Sequence, residues 1–584
     1  MFYELSSKYF FSLKDADSEK MELLMKRNPR YIENFYSNNF DSEQDASIDV
    51  RVFAGKNGSG KTFLLNQIFK GDGFFVLEDN NEKIACVVPP YNGLTNYINV
   101  ELDGKQIPFI EEMPKKIRRI LFSNSLEASK TAMDYSNQEE IIDGEEKTNK
   151  NEYVYDLTTV SKLLNTENYI EMIEEDVLEQ INFINLLDDK DRNVVENLLD
   201  LPKKISIELP NIKDMKFLYH SIFNFLEDSQ LVKDFFLLKD ENLGELQQSL
   251  IIESKKSFIF ESLKKNDYES VIKGMDSIYN PKMNETIYEE ENGEDYSIEQ
   301  MIKRYRKSLD IINSLNNIEI SSKNSEKIIF EIPIKDNKKF FKDVSEKESH
   351  FIKLKKPYWT NISSGQYCFL NLFGRINAAV ADKKKNDYVL TMILIDEVDL
   401  GLHPAWQRKW MKHVPIILSK IFKETPIQLV ISTHSPVILS DVLDKDVHLI
   451  GSNTSVQGIC DFKTFGNNIH ELMADQFFLD EGVIGDFAKN RINTIIKELR
   501  DQEVEEEKLN KYEIVAEAIG EPVIKKEVDR LLLENRESNL DTDSDTVYDK
   551  EFDDFKGFIK DIKNELKSTV FDNKESDLNE KDRD

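Results

Sequence analysis

Cysteine is scarce in this chain, which has only Cys86, Cys368 and Cys460. The three lie far apart and form no C-x-x-C pair. Neither a disulfide framework nor a thiolate zinc site is supported, and a reducing cytoplasm is the expected setting. No apolar run is long enough to cross a bilayer, so no membrane partner is expected. The opening Met1-Phe2-Tyr3-Glu4-Leu5 has neither a basic region nor an apolar core, and no secretory signal is read there. Basic residues are outnumbered: 77 Lys and Arg against 109 Asp and Glu leave a formal net charge of −32. So acidic a chain does not hold nucleic acid with its whole surface; any such site has to be a local basic patch. At 584 residues the chain is too long for one simple core, and two or three domains are expected.

What the sequence does contain is Gly55-Lys56-Asn57-Gly58-Ser59-Gly60-Lys61-Thr62, which fits the phosphate-loop pattern G-x-x-x-x-G-K-[ST]. The alternating Ile48-Asp49-Val50-Arg51-Val52-Phe53-Ala54 before it reads as a strand, and Phe63 to Phe69 after it reads as a helix. Glycines let the backbone curl so that successive N–H groups point inward at phosphate oxygens, and the helix N-terminus adds partial positive charge. On this reading Lys61 reaches the β- and γ-phosphates of ATP, and the Thr62 hydroxyl ligates Mg²⁺.

Further along, Phe74–Leu77, Ala85–Val88 and Tyr97–Leu102 read as an antiparallel meander, and Arg118–Asn124 as one more core strand. Residues 136–152 are polar and acidic, a flexible loop. From about 155 to 320 amphipathic helices are expected, as at Val160-Leu163-Leu164, Leu218-Ile222-Phe225-Leu226 and Met301-Tyr305-Leu309-Ile312. Ile328–Ile332 reads as a strand. The stretch from Lys338 to Trp359 mixes lysines with Phe340, Phe341, Phe351 and Tyr358. It fits either a single-stranded nucleic-acid surface or a solvated strand with a half-buried apolar face. Residues 483–535 read as helical, with an apolar face at Ile514, Ala518, Ile519, Val523 and Ile524, and an acidic tail follows that carries Phe552, Phe555, Phe558 and Ile559.

Two apolar strands carry polar ends. Tyr388 to Ile395 ends in Asp396-Glu397, and Gln428 to Ser432 ends in Thr433-His434. In a parallel sheet, ligands bind at the carboxyl ends of strands. Asp396 there suits the Mg²⁺ that bridges phosphates. Glu397 is placed to orient or deprotonate an attacking water, and His434 to sense the γ-phosphate. Ile362-Ser363-Ser364-Gly365-Gln366 precedes a helix and reads either as a second anion site or as an N-cap.

The order of these motifs resembles the ABC-type ATPases of the SMC and RecF kind. Asp396-Glu397-Val398-Asp399-Leu400-Gly401-Leu402-His403-Pro404-Ala405-Trp406-Gln407, with Ser432-Thr433-His434-Ser435-Pro436, resembles the RecF/OLD-like AAA subgroup. The resemblance implies an α/β fold: a split ABC-type ATPase head with a mixed central sheet and an antiparallel β subdomain, a helical insertion and a helical C-terminal segment. The expected parts are residues 1–135, 136–322, 323–475, 476–535 and 536–584. It further implies that Ser363, Ser364, Gly365 and Gln366 form the signature that acts in trans on a partner's ATP. Two such sites would be shared in a homodimer or higher even-numbered oligomer. Two departures stand out: Ser364 replaces a common glycine, and no Q-loop glutamine follows Phe122, where Ser123 or Asn124 stands instead.

Phe477 to Ala488 and Ile519-Gly520-Glu521-Pro522-Val523-Ile524 resemble PtuA-like ATPases of Septu-type anti-phage systems, including those attached to retrons. That resemblance implies an HNH-type nuclease subunit as partner and leaves room for a nucleic acid such as retron msDNA. No nuclease site is expected in this chain, since Asp541-Thr542-Asp543-Ser544-Asp545 has no strands around it. The competing expectations are an SMC/RecF-like repair ATPase that clamps DNA directly and a slow-hydrolysing nucleotide-bound scaffold.

Overall fold

The near-continuous apolar runs of the sequence become the strands of a parallel sheet, the arrangement expected where helices cover both faces. The computed structural model describes residues 8–15, 21–29, 31–33, 35–36, 46–55, 58–71, 75–78, 84–87, 98–102, 105–110, 117–125, 154–166, 168–210, 243–265, 268–279, 297–324, 327–346, 350–354, 356–381, 390–422, 425–450, 463–476, 485–501 and 504–540. Among them, β1 (Ile48–Gly55), β2 (Ile117–Phe122), β3 (Val154–Asp156), β4 (Leu390–Ile395), β5 (Ile427–Thr433) and β6 (Val447–Ile450) form one sheet in the order β3-β2-β4-β5-β1-β6. Every pair in it is parallel. The register sets Ile395 beside Phe122 and Ile431, and Thr433 beside Ala54. The carboxyl ends of β1, β2, β4 and β5 therefore share one edge.

The helices that matter for the site are α1 (Lys61–Lys70), α2 (Tyr169–Leu186), α3 (Ser364–Ala381) and α4 (Pro404–Phe422). Alternate residues of each strand serve opposite faces. Phe53, Leu121, Met392 and Leu394 pack with Leu65, Ile68 and Phe69 of α1. Val50, Val52, Ile120, Ile393 and Ile395 join the larger core, which takes in Ile181 of α2, Phe373 of α3 and Trp410 of α4. Helices α2 and α3 meet closely, because a Cβ on Gly374 would lie 2.9 Å from the Gln180 backbone nitrogen. The next residue, Arg375, grips the Asp176 carboxylate with two hydrogen bonds of 2.9 and 2.7 Å and donates to the Leu157 carbonyl. Lys162 reaches the same carboxylate at 2.7 Å. Burial pushes the Asp176 carboxyl up, but the hydrogen bonds and charge of Arg375, with those of Lys162, hold it below the usual range. Removing one partner of such a buried pair costs about 3–5 kcal/mol, since the other charge is stranded.

The antiparallel strands stand in smaller sheets. Phe75–Glu78 and Ile84–Val87 pair as expected. Ile98–Leu102 does not complete their meander. It runs parallel to Met21–Arg27 instead, where Val100 packs with Tyr9, Leu23 and Met25. A strand at Lys204–Pro210 also interrupts the stretch expected to be helical. Its Ile205, Ile207 and Leu209 are buried against the partner strand Lys327–Pro333. The helices Glu245–Lys265, Tyr268–Tyr279 and Ile298–Asn313 share a core of Phe258, Val271, Met275, Met301 and Tyr305.

The lysine- and aromatic-rich stretch forms a strand only at Tyr358–Trp359, where Tyr358 is exposed and Trp359 buried. Lys338–Ser345 is a helix whose Phe340 and Phe341 are buried, and Phe351 and Trp359 are buried too. On that helix the lysines leave Phe340 and Phe341 on the inner face, so these rings, like Phe351 and Trp359, are not available to stack bases.

The chain divides into two compact units, Met1–Asp480 and Glu481–Asp584. In the second, helices Asp486–Asp501, Glu506–Glu517 and Pro522–Leu540 enclose Ile495, Leu499, Leu509, Ala516, Val528, Leu531 and Leu532. The apolar face read from the sequence is corrected here, because Ile514 and Val523 are exposed. Residues 518–521 break the helix, so positions on either side do not share one helical phase. Leu218–Leu226, the phenylalanines after Phe552 and the acids from Asp541 to Asp545 lie outside the described residues. No described helix is long and apolar enough to cross a membrane.

Candidate nucleotide site

Gly55 ends β1 with φ 151°, and a Cβ there would lie 2.3 Å from the Ile450 carbonyl oxygen on β6. Only glycine fits so close to a neighbouring backbone. Gly58 and Gly60 follow with φ of 74° and 96°, the left-handed region that lets the chain turn back into α1. Lys56 and Asn57 lie outside the described residues. Gly60 caps α1 without any side-chain acceptor, so the first-turn N–H groups are not occupied by a capping side chain. The Ser59 hydroxyl is buried with no hydrogen-bond partner among the described residues. Inward N–H groups, an unmatched hydroxyl and a cation form a donor set that suits phosphate oxygens. At the other end of α1, Arg119 of β2 donates to the Phe69 carbonyl at 2.6 Å, where the helix dipole favours positive charge.

Lys61 is buried and donates to the Gly55 carbonyl at 3.1 Å. Burial pushes its ammonium below the usual lysine value, against the opposing pull of Asp396, Glu397 and Asp399. These three carboxylates follow β4. Ser432 of β5 ties them to the next strand: its hydroxyl donates to Asp396 Oδ1 and accepts the Glu397 N–H at 2.8 Å. The Asp396 N–H reaches back to the Phe122 carbonyl at 2.9 Å. Glu397 has φ 51°, a left-handed conformation that L side chains adopt at a cost of about 1–2 kcal/mol. Such strain in a non-glycine residue is held in place by its surroundings and often serves a site.

His434 joins the group from β5. Its backbone N–H donates to Asp399 Oδ1 at 3.1 Å, beside the bond from Thr433 Oγ1 to the same oxygen. Its ring faces the Gly55 backbone. Burial and the Lys61 charge push the imidazole below the usual histidine value, against Asp399, the Gly55 backbone and Asp396. Ser435 then donates to Gln407 Oε1 at 2.6 Å, which joins the His434 turn to α4. Thr62 and Asp396 offer a hydroxyl and a carboxylate, hard oxygen donors of the kind Mg²⁺ takes, and the residues fit that ion.

The residues Ser363 to Gln366 make their contacts elsewhere. Ser363 donates through N and Oγ to Gln366 Oε1 at 2.9 and 2.8 Å, a capping box at the start of α3. Gln366 Nε2 donates to the Asp200 carbonyl at 3.2 Å. Gly365 is buried under Trp406, whose ring would lie 2.0 Å from an added Cβ. Ser363 and Ser364 are exposed. The capping expectation is thus met in its own right, and the two serines still face outward. Ser123 holds a turn: its carbonyl accepts from Thr159 N and Oγ1, and its Oγ accepts the Ser125 N–H.

Sequence reasoning did not single out Asp399 or Ser432 as site residues. The signal for Asp399 was the repeat of acids two apart after β4. For Ser432 there was none, since its role depends on β4 and β5 being neighbours.

A parallel sheet with a phosphate loop on one strand, paired acids on the second and a histidine on the strand between them defines a P-loop ATPase head. The family model described as "AAA domain, putative AbiEii toxin, Type IV TA system" matches residues 119–440, more than half of the chain. The chain belongs to this family of AAA ATPase domains. The matched segment includes Ser363–Gln366, Asp396, Glu397 and His434, and begins after the phosphate loop. Over 60 residues the chain is 40% identical to the "Retron Vc95 probable ATPase" of Vibrio cholerae serotype O1 biovar El Tor, covering 10% of each chain. It is also 26% identical over 204 residues to the "Septu protein PtuA" of Bacillus mycoides strain KBAB4, covering 31% of this chain and 26% of that one. The chain thus spans about a tenth and about a quarter of the curated relatives it matches.

Proposed function

We propose that the chain is the ATP-binding and hydrolysing subunit of a bacterial anti-phage complex, acting in the cytoplasm and controlling an HNH-type nuclease subunit. The observation that carries the ATPase part is the convergence of Asp396, Glu397 and His434 on Lys61, which is itself held to Gly55. The likeness to the Septu and retron proteins supports the defence setting.

In this mechanism the first-turn N–H groups of α1 and Lys61 hold the β- and γ-phosphates. Thr62 and Asp396 hold Mg²⁺, which supplies charge neutralisation across the phosphates when bound. Glu397, its backbone fixed by Ser432, orients the attacking water and takes its proton. His434 lies where it contacts the terminal phosphate and registers its loss.

Two copies pair head to tail, and Ser363, Ser364 and Gly365 of each complete the pocket of the other, a self-complementary C₂ arrangement. The outward serines of the capping box support this reading. A direct DNA clamp is disfavoured by the net charge of −32 and by the burial of Phe340, Phe341, Phe351 and Trp359 in the lysine-rich stretch.

Steady-state turnover of Glu397→Gln against the parent tests the hydrolysis step. Loss of a general base predicts a fall of about 10²–10⁴-fold with ATP binding retained. Equal turnover would favour a nucleotide-bound scaffold instead.

A further inference from the structure

Phe63 directly follows Thr62 on the first turn of α1 and is 65% exposed. The buried face of that helix is formed by Lys61, Leu65, Ile68 and Phe69. At about 100° per residue, Phe63 lies about 200° round the helix from Lys61, on the opposite face. The groups that read a terminal phosphate, Lys61, Asp396, Glu397 and His434, all gather on the Lys61 side. A triphosphate with its γ end there runs its α-phosphate, ribose and base toward the far side of the helix N-terminus. Phe63 is the large apolar side chain waiting on that side.

We propose that Phe63 stacks on the base of the bound nucleotide, an inference that rests on the phosphate-site reading above. A base has a flat π-face, and a phenyl ring offers no donor or acceptor to tell an amino from an oxo substituent. Phe63 therefore supplies affinity for the nucleoside without selecting adenine over guanine. Its exposure is the open half of a stacking pair.

The test uses the full chain carrying Glu397→Gln, so that nothing is turned over, and titrates it calorimetrically with the Mg²⁺ complexes of ATP, GTP and tripolyphosphate. Adding Phe63→Ala weakens both nucleotides by about tenfold, the loss of one base–aromatic stack, and leaves tripolyphosphate within about twofold. Phe63→Trp keeps nucleotide affinity, and its added indole emission responds to ATP and not to tripolyphosphate. Unchanged ATP affinity in Phe63→Ala overturns the proposal, and so does an equal loss of tripolyphosphate. A parent that binds neither ATP nor tripolyphosphate overturns the phosphate-site reading itself. One that binds tripolyphosphate upholds that reading whatever Phe63 does.

Discussion

At the phosphate-loop corner, Gly55, Lys61, Asp396, Asp399, Ser432 and His434 are tied to one another across three strands. At the capping corner, Ser363 is bonded to Gln366 and Gln366 to the Asp200 carbonyl, and two serines face outward. The contacts described at the first corner all close within one chain. The second has a firm base, with Gly365 under Trp406 and Arg375 locked to Asp176, and its Ser363 and Ser364 stay exposed. On the shared-site proposal, the difference says where to look for the rest of the pocket: against another copy rather than deeper in this one.

The sharpest way to break this contrast is to spoil the base of the capping corner. Gly365→Ala forces a methyl group into the Trp406 ring, and overpacking of this kind costs about 1–3 kcal/mol. We expect a lower denaturation midpoint and weakened hydrolysis, with ATP affinity at the loop held. Trp406→Leu in the same chain restores the midpoint. A double variant no more stable than Gly365→Ala would mean that the contact does not set the helix start.

A smaller effect probes the other corner. With its folded-state value lowered, His434 is neutral at pH 7 and resists protonation as the pH falls through the ordinary histidine value of 6.5. The unfolded chain takes up that proton first. The neutral form therefore contributes stability above 6.5, which is lost as the pH falls through the folded value. A ring-proton NMR titration is expected to inflect below 6.5; an inflection at or above it would mean that burial and the Lys61 charge do not govern the ring.

Much of this was legible in the residues. The phosphate loop announced itself because its glycines and its Lys-Thr pair serve one local geometry, and the apolar runs of β4 and β5 marked central strands. What escaped was whatever depends on distant partners. Ser432 matters because β5 lies beside β4, and Arg375 because α3 crosses α2 at Asp176, 199 residues away in sequence. The parallel pairing of Ile98–Leu102 with Met21–Arg27 escaped for the same reason: a turn signal says where a strand stops, not which edge it joins.

Mixing two crippled chains tests most directly whether the capping corner serves a neighbour's phosphate loop. Lys61→Ala disables the loop and Ser364→Arg blocks the outward serine; each chain alone is expected to hydrolyse ATP poorly. In a mixed pair, the intact loop of one meets the intact serine of the other, and ATPase activity rises well above the sum of the separate chains. Activity that stays at that sum, with mixed pairs demonstrably formed, would contradict the shared-site account.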